Sequence, residues 1–315
     1  YGRTFLFDGT PVVKDVWIDL DGDGKKECGA DLDDCEWRRV VVVQQGFGGT
    51  RTLALDITYT DSPAFLWEQT NAVDSTAMGY TTSRPVVVNV YDKSGTGGRD
   101  RWVALWGSGR PADYSSGSTN YFESVEGSLY MWDVGEDAFA GGASTAGYST
   151  GGDNISSTEH PDAANVGSLD LDGDGNLEYT YIAAPPAVVD YDSDGDVDVA
   201  YFPVSVSYDP DAGTGTSANP GHSWIYKALL NSTSPSDLEW CEFYDPADGT
   251  VNEADTGGGS TYAFGSRPEV YYAITTAWMK SGELGVYWGS GSPFLASSST
   301  DDAAFFLMKD PDPLS

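Results

Sequence analysis

The stretch PPAVVDYDSDGDVDVAYFPVSV, residues 185–206, sets two apolar segments on either side of an acidic turn. The first segment follows a pair of prolines and contains Val188 and Val189, and the second runs from 197 to 206. Asp and Gly favour tight turns, whereas Val, Tyr and Phe favour strands. The stretch therefore predicts a β-hairpin whose connection is rich in carboxylates.

This unit recurs along the chain. A strand that opens with Pro and Val is followed by a second strand, often with a Gly-rich turn, and by a third. The opening strands are expected at 10–19, 83–92, 185–194 and 266–275, the second strands at 40–49, 102–110, 197–206 and 284–292, the third strands at 52–58, 128–134, 223–230 and 304–310, and fourth strands at 64–69 and 237–243. Repeated antiparallel units predict an all-β fold, a β-propeller of complete, partial or modified form with at least four recognisable blades. A β-sandwich is the alternative.

Composition agrees with this fold class and excludes several functions. The 315 residues include 38 Gly and 13% aromatic residues, with 16 basic against 49 acidic side chains and a net charge of −33. Such a charge repels a phosphate backbone, so nucleic acid is not expected as a partner. No run approaches the ~20 apolar residues of a membrane span, so membrane insertion is not expected.

We expect one propeller domain over 1–315, with long loop insertions at about 135–165 and 207–221. These two segments are rich in Gly, Ser, Thr and Asp, and strands of the same unit flank them. The chain begins at Tyr1 within a strand-like segment, which is typical of a fragment or processed form of a larger protein.

Carboxylates recur in a fixed spacing, D-x-D-x-D-G-x-x-[DE]. The three ladders are Asp19, Asp21, Asp23, Lys25 and Glu27; Asp170, Asp172, Asp174, Asn176 and Glu178; and Asp190, Asp192, Asp194, Asp196 and Asp198. Positions 1, 3, 5 and 9 of each ladder offer carboxylates, position 7 offers its main-chain carbonyl, and the Gly at position 6 permits a sharp turn.

Six to eight oxygen ligands suit Ca²⁺, whereas Mg²⁺ prefers a rigid octahedron and keeps its waters. Zinc and copper favour His or Cys, which the three ladders lack. A solvated acidic turn is the alternative for any one ladder. The three copies together predict at least one bound Ca²⁺ in calcium-binding hairpin loops, and close to three ions per chain if every ladder is a site. They also predict a metal-free form that is looser or more sensitive to proteases.

The chain has three cysteines. Cys28 and Cys35 lie seven apart in a polar hairpin-like stretch, where a local disulfide is expected and two free thiols are the alternative. For Cys241, core packing and a bond to another chain both stay open.

Signatures of catalysis are lacking in the sequence. It contains no Rossmann or Walker glycine pattern and only two His, and its G-x-S-x-G match, GYSTG at 147–151, lies inside a predicted loop insertion rather than at a strand-to-helix turn. Carboxylate pairs are uninformative in so acidic a chain. We therefore expect no catalytic residues and no enzyme activity.

Several blocks together resemble the C-terminal propeller of PilY-type proteins, the tip-associated adhesins and biogenesis factors of bacterial type IV pili. The blocks are FLFDGTPVVKDVWID at 5–19, WRRVVVVQQGFGGTRTLALDIT at 37–58, SPAFLWE at 62–68, SRPVVVNVYD at 83–92, WVALWGSG at 102–109, PPAVVDYDSDGDVDVAYF at 185–202 and LGVYWGSGSPFL at 284–295. Within them, Asp190, Asp192, Asp194 and Asp198 match the calcium loop of the family position by position.

The resemblance implies a secreted, calcium-binding propeller at the cell surface or pilus tip, exported across a bacterial envelope. Its implied role is type IV pilus biogenesis and adhesion, and its implied partners are minor pilins or other extracellular filament or surface proteins. Two departures stand out: the ladder-bearing insert at 19–36, and the replacement of the usual G-D-L-x-G-N-L-W step after the calcium loop.

Two other functional classes stay open. One is a structural subunit of an extracellular fibre, in which Cys241 and the acidic loops meet other chains. The other is a quinone-cofactor dehydrogenase, because such enzymes are Trp-rich propellers with calcium and this chain has ten Trp. Those enzymes hold calcium at the cofactor in the central funnel, which does not fit ladders that lie in hairpins.

Overall fold

The computed structural model describes residues 7–18, 26–29, 35–69, 79–93, 99–110, 128–135, 153–154, 180–206, 223–230, 239–244, 270–290 and 305–314. Within these ranges, sixteen strands form four antiparallel sheets. The same ranges hold no helix with the length and apolarity that a membrane span requires.

The first two sheets are four-stranded meanders, in which each strand pairs with the next along the chain. The first sheet consists of β1 (Val12–Trp17), β2 (Trp37–Gln44), β3 (Thr52–Asp56) and β4 (Ala64–Gln69). The second consists of β5 (Val86–Asp92), β6 (Arg99–Gly107), β7 (Ser128–Asp133) and β8 (Asp153–Asn154).

The third and fourth sheets repeat the meander with variations. The third consists of β9 (Thr180–Tyr181), β10 (Ala187–Val189), β11 (Val199–Val206), β12 (Ser223–Leu229) and β13 (Glu239–Tyr244). In it, β9 pairs with β11 beside β10. The fourth consists of β14 (Thr275–Trp278), β15 (Leu284–Gly289) and β16 (Phe305–Asp310).

The sheets stack face to face in chain order. Val42 and Ala54 of the first sheet pack with Trp106 of the second in one apolar cluster. Further clusters join the second sheet to the third and the third to the fourth. Apolar residues therefore cover both faces of the two middle sheets, as in the blades of a propeller. The prediction of an all-β fold with four antiparallel units is confirmed.

The first and fourth sheets each expose apolar side chains on the face turned away from this stack. Phe65 of β4 is 60% exposed and Phe305 of β16 is 74% exposed. Val13, Trp37 and Leu307 are also exposed. The middle sheets differ from these two, because apolar residues on both of their faces pack into the clusters between sheets.

A short segment that precedes an opening strand links neighbouring sheets at one end. Thr81, ahead of β5, bridges to Gly46 beyond β2, and Ile182, ahead of β10, bridges to Gly109 beyond β6. Gly109 has φ +80°, and a Cβ there would collide with the main chain of Tyr80. This bond pattern explains why the turn between the second and third strands is Gly-rich.

One predicted boundary is wrong. The opening strand of the fourth unit was expected at 266–275, but β14 begins only at Thr275. The main-chain N–H of Val270 instead donates to the hydroxyls of Ser205 and Ser223 in the third sheet, at 3.3 and 2.9 Å. Val270 and Ile274 are buried between the third and fourth sheets, so this segment serves as an inter-sheet link before the strand begins.

The two predicted insertions fall mainly outside the described residues. Of 135–165, the structure describes Gly135 and the strand β8, whose residues pair with β7. The segment 207–221 lies wholly outside the described residues.

Candidate metal centre

The third acidic ladder forms the connection between β10 and β11. The main-chain N–H of Asp198 donates to the carbonyl of Val189 at 2.9 Å, which closes the hairpin. The N–H of Leu230, beyond β12, donates to the carbonyl of Asp198 at 2.7 Å. We call residues 190–198 the cation loop. Its base is thus held by two neighbouring parts of the third sheet.

Carboxylates of the cation loop accept hydrogen bonds from its own main chain. Asp190 Oδ2 accepts from the N–H of Gly195 at 3.1 Å, and Asp192 Oδ1 accepts from Asp194 at 3.2 Å. Asp194 Oδ1 accepts from Asp196 at 2.9 Å, and Asp198 Oδ2 accepts from Tyr191 at 2.7 Å. These bonds fold the loop inward, so that its carboxylates converge.

The backbone takes two left-handed turns to achieve this convergence. Ser193 has φ 64° and Gly195 has φ 106°. No atom lies within 4 Å of a Cβ built on Gly195, so the conformation rather than the space demands glycine. The predicted role of the glycine at position 6 thus has a direct structural basis.

Asp190, Asp192 and Asp194 form the centre of the loop. Each offers a carboxylate oxygen, and these three oxygens lie within 4.8 Å of one another. Asp190 Oδ1 is buried and, within the described part of the chain, has no hydrogen-bond partner. A buried carboxylate oxygen without a partner is costly, and a bound cation would satisfy it.

The electrostatic environment raises the pKa of two further carboxyl groups. Burial is the main cause for Asp196, and the charges of Asp100 and Asp194 add to it, so the pKa rises to about 6. Burial is also the main cause for Asp198, whose pKa is raised although the N–H of Tyr191 opposes the shift. Both groups resist ionisation as long as no cation offsets the neighbouring charges.

The residues present fit a hard divalent cation. The loop offers only oxygen ligands, they converge, and Asp190 also carries a buried oxygen with no partner among the described residues. Asp190, Asp192 and Asp194 are the residues that would hold the ion. A bound cation would neutralise mutual repulsion among the carboxylates and fix the loop; this is a structural role rather than a catalytic one.

The other two ladders are described only at one position. Asp19, Asp21, Asp23, Lys25 and the whole second ladder, from Asp170 to Glu178, lie outside the described residues. Glu27 is described and exposed, and its main-chain N–H donates to Glu36 Oε2 at 2.9 Å. These predicted ligands stay predictions.

A disulfide joins Cys28 to Cys35, which face each other as an isolated antiparallel bridge. Sequence reasoning missed the buried Glu36 beside it, which is 4% exposed. Its Oε2 accepts from the indole N–H of Trp17 at 2.7 Å as well as from Glu27. Glu36 directly follows Cys35, but its spacing fits no ladder and gave no signal. Cys241 is exposed on β13, which excludes core packing for it.

Sequence reasoning also missed Asn89 of β5. Its side-chain Nδ2 donates to Asp196 Oδ1, and its main-chain carbonyl accepts from Val197 at 2.7 Å. Nearby, Lys26 pairs with Asp100 of β6 at 2.6 Å. Both contacts join acidic hairpin connections of other sheets to the second sheet. Asn89 lies 107 residues from Asp196 in sequence, so no local pattern reveals the contact.

Comparison with known proteins identifies a relative. Over 125 residues, 40% of this chain, the sequence is 29% identical to the type IV pilus biogenesis factor PilY1 of Pseudomonas aeruginosa strain UCBPP-PA14. The chain is homologous to PilY1. No family model matches the chain. The matched segment is only 9% of the length of PilY1.

The structural comparison leads to the same protein. The whole chain superposes on 52% of the crystal structure of the Pseudomonas aeruginosa PilY1 C-terminal domain, with a TM-score of 0.53 and 15% sequence identity. At this identity the match shows a shared fold. The predicted PilY-type relationship is confirmed, and the chain spans about half of the solved domain.

Proposed function

We propose that this chain is part of a calcium-binding propeller at the bacterial cell surface, associated with type IV pili and acting in their biogenesis and in adhesion. The observation that carries the proposal is the sequence similarity to a type IV pilus biogenesis factor, together with the same fold as its C-terminal domain. The stack of four sheets provides the rigid frame, and the cation loop provides the metal site.

Calcium is the proposed ion. The three converging carboxylates are intermediate or exposed in a hairpin connection, which leaves room for the six to eight oxygen ligands that Ca²⁺ takes, some of them waters. Mg²⁺ binds with fewer protein ligands and more waters. The buried oxygen of Asp190 supports an ion held directly by protein atoms.

The proposed location is extracellular, at the pilus tip or cell surface, after export across a bacterial envelope. A disulfide between Cys28 and Cys35 suits an oxidising compartment. The proposed partners are minor pilins or other extracellular filament proteins. Exposed apolar residues such as Phe65 and Phe305 offer area for protein contact, since exposed apolar patches commonly mark interaction sites.

We propose a non-enzymatic role. The perturbed carboxyl groups Asp196 and Asp198 belong to the cation loop, which gives them a structural explanation. The buried phenol of Tyr201 has a raised pKa because of burial and its hydrogen bond to Asp310. Lys227 also donates to that carboxylate at 3.2 Å. Tyr201, Lys227 and Asp310 therefore form a buried polar contact between the third and fourth sheets.

The proposed binding of Ca²⁺ by the cation loop is tested by calorimetric titration of the full chain with Ca²⁺, for the wild type and for Asp194→Asn. We expect Asp194→Asn to abolish one binding component, which is thereby assigned to the cation loop. The control is Asp61→Asn, which removes one carboxylate from an exposed turn of the first sheet. Binding that is equal in all three proteins would contradict the assignment.

The proposed role in type IV pilus biogenesis is tested in the source bacterium. Deleting the gene should reduce surface pili, and a chromosomal Asp194→Asn allele should show whether the cation loop contributes. Normal pili in the deletion strain would contradict a role in biogenesis. Recovery of the protein as a repeating component of purified extracellular fibres would instead favour the structural-subunit alternative.

A further inference from the structure

Asn89 occupies an unusual position in the second sheet. It lies within the strand VVVNVYD, opposite Trp102 of β6, and is only 9% exposed. Its neighbours along the strand, Val88 and Val90, pack into the apolar cluster between the second and third sheets. Burying an amide there costs free energy unless the amide forms hydrogen bonds.

The side-chain amide nitrogen and the main-chain carbonyl of Asn89 both contact the cation loop. The side-chain Nδ2 donates to Asp196 Oδ1, and the main-chain carbonyl accepts from the N–H of Val197 at 2.7 Å. The side-chain Oδ1 is buried and has no hydrogen-bond partner in the described ranges. The amide therefore contributes mainly through Asp196.

We propose that Asn89 is a positioning residue for the cation loop. It holds the seventh and eighth loop residues against the second sheet, so that the loop is preorganised before the ion arrives. The inference rests on the proposed binding of Ca²⁺ by this loop. It adds that ion binding and the packing of the second sheet against the third stabilise each other.

The position of Asp196 in the ladder makes this role reasonable. In D-x-D-x-D-G-x loops, the seventh residue contributes its main-chain carbonyl to the ion. The Asp196 carboxylate is therefore available for another contact, and the structure uses it for Asn89. Partners behind the direct ligands orient them, and their removal typically weakens metal affinity by about 10- to 100-fold.

The test compares shape-matched apolar variants in full-length protein. Asn89→Leu removes the amide and keeps the volume. We expect the Ca²⁺ affinity of the component that Asp194→Asn abolishes to fall by about 10- to 100-fold. The melting temperature in chelator should stay close to that of the wild type, because the substitution removes the donor to Asp196 but also a buried acceptor with no partner among the described residues.

Gln44→Met is the matched control. Gln44 is another buried strand amide, 1% exposed, and its Nε2 donates to the hydroxyl of Thr52 at 3.2 Å within the first sheet. We expect Gln44→Met to lower the melting temperature equally with Ca²⁺ and with chelator, and to leave the affinity unchanged. A general packing defect would follow this second pattern.

A double-mutant cycle with Asp196→Ala shows whether Asn89 acts through Asp196. We expect the double variant to bind no more weakly than the weaker single variant. Fully additive losses would overturn the proposed route through Asp196. If Asn89→Leu does not fold, Asn89→Ser, which is polar but too short for the contact, takes its place with the same expected loss.

The outcomes separate this inference from the proposed function. If the wild type shows no binding component that Asp194→Asn removes, the calcium site and this inference both fail. If that component exists and Asn89→Leu binds as tightly as the wild type, only the positioning role is overturned.

Discussion

The connections that follow the opening strands of the first and third sheets are both long and acidic, yet different interactions close them. In the first, a disulfide between Cys28 and Cys35 and the buried carboxylate of Glu36 hold the base of the connection. In the third, nine residues close through carboxylates that bind their own main chain. The first connection is held by a covalent bond. The third is held by hydrogen bonds to carboxylates whose charges repel one another.

The comparison shows that two connections with the same ladder in sequence are closed by different interactions. Lys26 joins the first connection to Asp100 of the second sheet, and its cation also lies 5.5 Å from the ring centre of Trp17. The third connection reaches that sheet through Asp196 and Asn89. We therefore expect the first connection to be stable without an ion and the third to need one.

The largest expected effect comes from Glu36→Ala. The substitution leaves the indole N–H of Trp17 and the N–H of Glu27 without their described acceptor, both beside the disulfide. Two unsatisfied donors cost about 3 kcal/mol of the free energy of unfolding. Urea denaturation measures this loss. Glu36→Gln keeps an acceptor oxygen and should lose about 1 kcal/mol. An equal loss for both variants would contradict the hydrogen-bond explanation.

Breaking the disulfide should have the next largest effect. For the seven-residue separation of Cys28 and Cys35, the loss of a loop constraint in the unfolded chain corresponds to about 2.5 kcal/mol. The double variant Cys28→Ser, Cys35→Ser should lose this amount in urea denaturation. Its gain in stability on adding Ca²⁺, through the cation loop, should equal that of the wild type. A smaller gain would mean that the two connections are coupled.

The third prediction sharpens the comparison from the side of the cation loop. Gly195→Ala forces a Cβ into a backbone conformation with φ 106°, which costs about 2 kcal/mol. Gly282 is the matched control, because it also has a positive φ, 89°, and open space around its Cβ position. Gly282→Ala should lower stability by a similar amount but leave Ca²⁺ affinity unchanged. Gly195→Ala should weaken that affinity as well, and calorimetric titration measures the difference.

The sequence was sufficient where signals are local and repeated. Apolar runs such as Val40–Val43 and the Asp–Gly spacing of the cation loop predicted the strands and the converging carboxylates. It was insufficient where contacts join distant segments. Asn89 reads as an ordinary strand residue and Val270 as part of a strand, because each acts on a different sheet. Glu36 reads as one more acid, because its contact with Trp17 across the connection follows no ladder spacing.

The smallest expected effect is a pH dependence that distinguishes the two connections. The folded-state pKa of Asp196 is about 6, above its ordinary value of 3.8, mainly because of burial. Between these values the folded chain holds a proton that the unfolded chain releases, so stability in chelator falls as pH rises through this window. Asp196→Asn is neutral throughout, and the variant should therefore be the more stable protein at pH 7, by an amount that shrinks towards pH 5. The disulfide of the first connection does not titrate in this range, so the double variant Cys28→Ser, Cys35→Ser should lose the same stability at all three pH values. Urea denaturation in chelator at pH 5, 6 and 7 measures both differences, and a constant difference between wild type and Asp196→Asn would contradict the raised pKa.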